Sequence, residues 1–540
     1  MNAIPTRATY LPGEPVALEF DPPITAASEV IVTRLAEELA RLPLGPGATY
    51  ADLGTFDVGG YGVRIGSERT AFDVLESRWD RPRYGFVVAL DTDVDAEQVA
   101  RFYRRLHLNA AQLYDWAYRH SQLMPPTREY IDPLGQPRDL DAVNRMSTTL
   151  ASAGVVPLGY AAVYAVGHDE VEQWRSSLLL RSSGEPYRLG DNFLVLVDPA
   201  EPTWLAHLTD QLAEVVAGTA IQGFHLDQYG WPKFATRGDG ERVDLADSFS
   251  TMIRAVRDRL PSTPFMFNNV NDFPTHATAG LPQDATYIEV WEPHSTLGDL
   301  GSLANAAWAA RRDHPPILSA YLSSYAAGDD DGATEAAKLV MATAFSHGAA
   351  HLLLGEAGSA LVDPYYPNNH ALRPDDVAIF AAWYDFAVRY GDLLYGPSRA
   401  DVTEFFTGGI NEDVVVVAPG VEVSTKADAG TLWLRIVRTS EGVVVHVINL
   451  ASQGDNSWDS PRAATHRIDG ATLALAFVDS GATVFAASPE SPDMTPLVEV
   501  GATSADQVNA LSAGQSGVRF GLPALGAWTV VWIPSVAIGF

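Results

Sequence analysis

GFHLDQYGWPKFATRGDGERVDLADSFSTMIRAVRDRL, residues 223–260, sets the pattern for the middle of this chain. A short apolar run ends on Asp227, a polar stretch follows, and apolar residues then recur at helical spacing from 244 to 260. A short bounded run reads as a buried strand, and a spacing near 3.6 reads as an amphipathic helix. The same unit recurs on both sides. FVVAL (86–90) precedes DAEQVARFYRRL (95–106), AAQLYDW (110–116) precedes LDAVNRMSTTLASAG (140–154), and FLVLV (193–197) precedes WLAHLTDQLAEVVAG (204–218). TYIEVW (286–291), ILSAYL (317–322) and AHLLLG (350–355) are likewise each followed by a helical stretch, while VPLGYAAVYAV (156–166) and FMFNNV (265–270) add strands. Such alternation implies a parallel sheet, and about eight repeats imply a closed (β/α)8 TIM barrel. FLVLV is one strand too many for eight, which leaves the register open. An open doubly wound sheet is the alternative; no Gly-rich phosphate loop follows the first strand.

The flanks differ. YLPGEPVALEF (10–20), EVIVTRL (29–35), GYGVRI (60–65) and TAFDVL (70–75) alternate apolar and polar residues between turn signals, as in a small immunoglobulin-like β-sandwich. TRLAEELARL (33–42) reads alternatively as a short amphipathic helix. After the barrel, DVVVVAP (413–419), TLWLRIVR (431–438), GVVVHVINL (442–450), TLALAF (472–477), ATVFAA (482–487) and AWTVVWI (527–533) return as strands without helices. The expected architecture is multidomain: an N-terminal β-sandwich over 1–82, a catalytic barrel over 83–395 and a C-terminal β-sandwich over 396–540.

With 540 residues and a formal net charge of −31, the chain is too long for one core and too acidic for nucleic acid or an anionic membrane as partner. It has no cysteine, which excludes disulfides, thiolate zinc sites and a cysteine nucleophile. No apolar run reaches a membrane-spanning length of about 20 residues. MNAIPTRATYLPGEPV shows no signal peptide, so the chain reads as cytoplasmic as written and as secreted if a leader was removed. The thirteen histidines form no HExxH, and there is no GxSxG. No metal or other cofactor is expected. Oligomeric state is not legible.

Chemistry concentrates at strand ends. A carboxylate at the carboxyl end of a parallel barrel strand faces the usual active-site position, and two of them supply what glycosidic bond cleavage needs. Alternation puts His225, Asp227 and Tyr229 on one face of their run, with Gln228 beside them, and Tyr287, Glu289 and Trp291 on one face of theirs. Flanking aromatics suit Glu289 to a proton donor; Glu292 is its rival on the opposite face. Asp227 reads equally as a loop anchor, and Glu292 as a solvated loop charge. LYDWAYRH supplies Tyr114, Asp115, Trp116, Tyr118 and His120, a mixture of rings and polar groups suited to sugar or, in the blander reading, to an aromatic core. Asn268 and Asn269 end FMFNNV, and Glu356, Tyr365 and Tyr366 crowd the loop after the last strand. GDDDG (328–332) lacks the spacing of a calcium loop and reads as a loop before a helix.

YDWAYRH (114–120), GFHLDQYG (223–230), YIEVWE (287–292) and GEAGSALVDPYYPNN (355–369), with the order sandwich, barrel, sandwich, resemble glycoside hydrolase family 66. That family contains endo-dextranases and cycloisomaltooligosaccharide glucanotransferases. The resemblance implies a retaining mechanism on an α-1,6-glucan oligo- or polysaccharide. Asp227 matches the family's nucleophile, and Glu289 matches its acid/base better than Glu292 does. No inserted carbohydrate-binding module interrupts the barrel, unlike the cyclising members, which points to hydrolysis of dextran or isomaltooligosaccharides. The alternatives are a cyclising or transglycosylating transferase on the same scaffold, a different barrel hydrolase, and an inactive glycan-binding protein.

Overall fold

The structure, a computed structural model, describes residues 2–500 and 517–538. At its centre is one curled sheet of eleven strands. Tyr84–Val87, Ala110–Leu113, Val156–Ala162, Gly223–Asp227, Phe265–Val270, Ala285–Glu289 and Ile317–Ser319 lie side by side, each parallel to its neighbour. The run 350–355 supplies two short pieces. Ala350–His351 pairs with Ile317 and Leu318, and Leu354–Gly355 pairs at Gly355 with Phe86 of the first strand. Two antiparallel strands, Ser359–Leu361 and Asn369–Ala371, extend this end. FLVLV, the surplus run, is accounted for: Leu194–Leu196 lies in a separate three-stranded antiparallel sheet with Ala165–Gly167 and Arg188–Leu189.

Helices follow the strands and start where the sequence places a capping side chain. Asp95, Asp139, Glu201, Asp244, Thr296 and Asp329 each accept a backbone N–H at the start of Ala96–Arg105, Leu140–Ser152, Pro202–Gly218, Leu245–Arg259, Leu297–Ala310 and Asp330–Ser346. Such caps satisfy donors that the first helical turn leaves unpaired. Asp329 is the first aspartate of GDDDG, whose loop-before-helix reading matches this placement. Pro374–Arg389 closes the series and starts with Pro at its first turn. Among the described residues, no helix is long and apolar enough to cross a membrane.

Two β-rich regions flank the curled sheet. The first has a three-stranded and a four-stranded sheet around a core that includes Val16, Leu18, Phe20, Val30, Val63 and Phe72. Here the helical reading of 33–42 is wrong: Ser28–Arg34 and Glu37–Leu44 form an antiparallel hairpin, with Leu35 at φ 51° in its turn. Val30 and Val32 are buried on the sheet face, so burial of alternate residues outweighs the helix-forming content of AEELARL. The second region pairs a large, mainly antiparallel sheet, containing Thr431–Thr439, Gly442–Asn449 and Trp528–Pro534, with a smaller one around Leu434, Val445, Leu473 and Val531.

Both regions are bound tightly to the centre. Arg83, just before the first central strand, holds Asp73 at 2.7 Å and 3.1 Å, and Thr9 donates to the same carboxylate at 2.7 Å. Asp385 on the last helix accepts from Thr70 and pairs with Arg105 and His107. Trp528 stacks on Trp383 at 5.9 Å. Gly60 makes one approach possible only for glycine: a Cβ there would lie 2.3 Å from the Val388 carbonyl oxygen. Gly60→Ala is therefore expected to lower unfolding stability by about 1–3 kcal/mol, measured by denaturant titration. A variant as stable as the parent would show that the helix can yield there.

Candidate active site

The carboxyl ends of the strands open onto a cavity of about 590 Å³. Asp227 ends its strand and Glu289 ends another, with Phe265–Val270 between them. That intervening strand carries Asn268, and the Asn268 amide nitrogen donates to both carboxylates, at 2.7 Å to Asp227 Oδ1 and 2.8 Å to Glu289 Oε2. Those two oxygens are therefore at most about 5.5 Å apart, the separation associated with retaining glycosidases. Each outer oxygen meets a tyrosine. Tyr160 donates to Asp227 Oδ2 at 2.7 Å, and Tyr321 donates to Glu289 Oε1 at 3.0 Å.

Both carboxyl groups are buried, and burial is the first cause lifting each above the ordinary range. Asp227 is raised to about 6, with Tyr160, Asn268 and the Gln228 backbone N–H opposing the shift. Glu289 is raised to about 7, by burial and then by the charge of Asp227. The pair titrates together. Each carboxyl group has three donors favouring its charge, those of Glu289 being Asn268, Tyr321 and the Trp291 side chain, so the charge of Asp227 is what places the shared proton on Glu289. The Asn268 amide and the Tyr321 hydroxyl hold the two Glu289 oxygens in fixed directions.

The remaining lining is mainly aromatic, with Lys233 as its cation. Tyr114 stacks on Tyr366 at 4.5 Å, and His225 lies between the rings of Tyr84 and Tyr160 at 6.0 Å and 6.2 Å. Burial pushes His225 down to about 3 and His120 down to about 4, so both are neutral imidazoles. His225 Nδ1 shares a hydrogen with the Tyr84 hydroxyl at 3.0 Å. His120 packs edge-on against Phe193 and its Nε2 has no partner. Asp115, at φ 46°, is raised to about 7 by burial, then by Asp132, with Arg138 opposing. A neutral ligand rich in hydroxyl groups suits these walls better than a charged one.

The cavity brings together many of the residues singled out from the sequence: Tyr114, Asp115, His120, His225, Asp227, Gln228, Tyr229, Asn268, Glu289, Trp291, Tyr365 and Tyr366 all line it. Gln228 lines it with its amide spent elsewhere, donating to the Asn268 and Phe273 carbonyls and accepting from Gly230. Five expected residues are not in the lining. Trp116 is fully buried, and its indole N–H donates to the Tyr160 carbonyl. Tyr118 packs on Tyr130 and beneath Arg119. Asn269 points to the opposite strand face, bonding the Phe267 and Tyr287 carbonyls and Thr278. Glu292 is exposed beyond the strand end, where its carbonyl accepts from Asn271. Glu356 accepts the backbone N–H groups of Val88 and Ala89 and so ties the last strand to the first. The sequence reading missed Tyr160 and Tyr321. Both sit at or just beyond strand ends, but inside apolar runs that read as core.

The carboxyl-end cleft and its bridged carboxylate pair fit an enzyme of the glycoside hydrolase class. Comparison with known proteins narrows that class. The family model described as glycosyl hydrolase family 66 matches residues 55–532, and the chain belongs to that family. Two cycloisomaltooligosaccharide glucanotransferases of Niallia circulans are 22% and 25% identical over 371 and 375 residues, covering 63% and 62% of this chain. Those matches span 38% and 37% of the two relatives, well under half their length. The crystal structure of a Paenibacillus sp. cycloisomaltooligosaccharide glucanotransferase complexed with cycloisomaltoheptaose shares the fold. It has a TM-score of 0.85 at 17% identity, over 98% of this chain and 99% of that one.

Burial of Glu289 sets a stability test. Its carboxyl group rises from 4.5 to about 7 on folding, so the folded state holds the proton more tightly and loses stability as pH climbs through about 7. Glu289→Gln removes that loss. The variant is expected to melt on the order of 2 °C above the parent at pH 8 and level with it at pH 4, by calorimetry. A variant that melts lower at pH 8 would show Glu289 ionised and well solvated.

Proposed function

We propose that this protein is a retaining glycoside hydrolase that cleaves α-1,6-glucosidic linkages of dextran or isomaltooligosaccharides through a covalent glycosyl-aspartate. The observation that carries this reading is the Asn268 amide bridging Asp227 and Glu289, which keeps their facing oxygens within about 5.5 Å. The linkage comes from the family and its named relatives. We also infer that the curled sheet is a closed (β/α)8 barrel, since the run 350–355 pairs at both of its ends. In this reading the domains are an immunoglobulin-like sandwich over 1–82, the barrel over 83–395 and a C-terminal sandwich over 396–540; residues 1, 501–516, 539 and 540 lie outside the described residues.

In the first step Asp227 attacks the anomeric carbon, and the bond to the glycosidic oxygen breaks as that oxygen takes the proton of Glu289. In the second, Glu289 accepts a proton from water while its oxygen attacks the same carbon and the ester electrons return to Asp227. Tyr160 and Asn268 hold Asp227 in place; Tyr321 and Asn268 hold Glu289. Tyr114, Asp115, His120, His225, Tyr229, Tyr365 and Tyr366 contribute rings and hydrogen-bonding groups to the sugar site. The second reading replaces water by a sugar hydroxyl, giving transglycosylation or cyclisation, and is favoured by the names of the two Niallia circulans relatives.

Incubation with dextran, linear isomaltooligosaccharides, starch and pullulan tests the reading. The expected products are isomaltooligosaccharides from α-1,6-glucan, α-anomeric at early times by NMR; β-anomers would remove the covalent intermediate. Asp227→Asn is expected to lower kcat by about 10⁴-fold or more with the fold intact, because an amide cannot form the ester. The pH profile of kcat/KM should be a bell, falling below the point where Asp227 takes a proton and above about 7, where Glu289 loses its own. In Glu289→Gln the alkaline limb should vanish, and substrates with activated leaving groups should lose least. A preserved limb would assign the acid to another group.

A further inference from the structure

Most of the rings around the cavity have their faces occupied. Tyr114, Tyr160, Tyr287, Tyr321 and Tyr366 pack on one another or on His225. Two rings remain 38% exposed: Trp291 and Tyr365. They flank different parts of the cleft. Tyr365 stands by Tyr114 and bonds Gln136, far in the chain from the Glu289 strand. Trp291 follows Glu289 by two residues on the same strand face, and its ring lies 5.9 Å from Tyr321, the tyrosine that donates to Glu289.

The loop that carries Trp291 is fixed from below. Asn271, at φ 53°, donates its backbone N–H to the Glu289 carbonyl at 2.7 Å and its side-chain N–H to the Glu292 carbonyl at 2.8 Å. Asn271 lines the same cavity, and its side-chain oxygen is buried without a partner in the protein. A partly exposed indole, hydrogen-bonded to Glu289, thus adjoins the carboxyl group on the leaving side of the scissile bond. Sugars present an apolar C–H face to rings and hydroxyl groups to amides.

We propose that Trp291, held by Asn271, is the platform for the sugar on the leaving-group side of the scissile bond, and that it thereby sets how much glycosyl-enzyme passes to a sugar acceptor rather than to water. This rests on the retaining reading above. The glycosidic oxygen must touch Glu289 to be protonated, so the sugar attached to it extends along the Glu289 wall and meets Trp291. After the first step the same place receives the acceptor. The acceptor hydroxyl oxygen then bonds to the anomeric carbon, its proton goes to Glu289, and the ester bond breaks with its electrons returning to Asp227. A sugar resident on the indole excludes water from that position and raises transfer over hydrolysis.

The experiment compares the parent, Trp291→Ala and Trp291→Phe on two substrates: isomaltotetraose, which places a sugar on the leaving side, and an aryl α-isomaltoside with an activated phenol, which does not. Transfer and hydrolysis products are counted at fixed added isomaltose. In Trp291→Ala the loss of kcat/KM on isomaltotetraose is expected to exceed the loss on the aryl substrate by about tenfold, the equivalent of one stacked ring. The transfer-to-hydrolysis ratio is expected to fall about fivefold or more, and Trp291→Phe to recover most of both. Parallel losses on the two substrates, or an unchanged ratio in an active Trp291→Ala, overturn the proposal. A parent that cleaves no α-1,6-glucan overturns the substrate reading itself and takes this proposal with it.

Discussion

One amide governs the site. Asn268 has two N–H groups and gives them to two different carboxylates, so it acts as a spacer and favours the charged form of each. It can do so because its strand runs between the strands of Asp227 and Glu289, with Phe267 beside Leu226 and Asn268 beside Tyr287. A shift of one residue in that register would turn Asn268 away and bring Asn269 to the cavity face. The tyrosines then finish the arrangement from outside, each on the oxygen that the amide leaves free. Two buried acids that repel one another would otherwise spread apart or draw in water. Here five hydrogen-bonding groups hold them close, with one proton between them.

The strand-and-helix alternation was readable because burial on both faces makes each central strand a continuous apolar run, while its helix keeps a 3.6-residue period. The faces of the two carboxylate strands were readable for a simpler reason: the period of a strand is two. Tyr287, Glu289 and Trp291 reach the cavity, whereas Ile288 and Val290 are buried in the core and Glu292 is exposed. What failed were side chains committed to partners that the strand pattern does not contain. Trp116 and Tyr118 follow Asp115, whose positive φ breaks the alternation and sends both rings out of the cleft. Asn269 looked polar enough for a site, yet it meets the needs of neighbouring backbone carbonyls. Glu356 serves two backbone N–H groups of a segment 267 and 268 residues away in sequence, a partnership that no local pattern contains. Tyr160 and Tyr321 were hidden by their own hydrophobicity, since a tyrosine in an apolar run reveals its ring but not where its hydroxyl points.

The charge of the whole molecule and the charge inside its cleft are separate matters. The sequence carries a net −31, but the cavity lining pairs its acids with neutral imidazoles and tyrosines. Long-range repulsion of anions and a wall of rings favour the same kind of ligand, one that is uncharged and able to stack. On the proposed mechanism, water and a sugar would complete the reaction with the same reacting groups.

The buried Arg83–Asp73 pair has a further consequence for how such a chain can be taken apart or recombined. Asp73 lies near the end of Glu68–Val74 in the leading β-rich region and is fully buried, while Arg83 precedes the first central strand and is nearly so. Cutting the chain between them, or grafting a different leading module, would strand a guanidinium in a dry seam. An orphaned partner of this kind costs about 3–5 kcal/mol. The leading β-rich region is therefore not freely interchangeable cargo. A shuffled descendant would have to carry the aspartate and the arginine across together, so this seam is inherited as a unit.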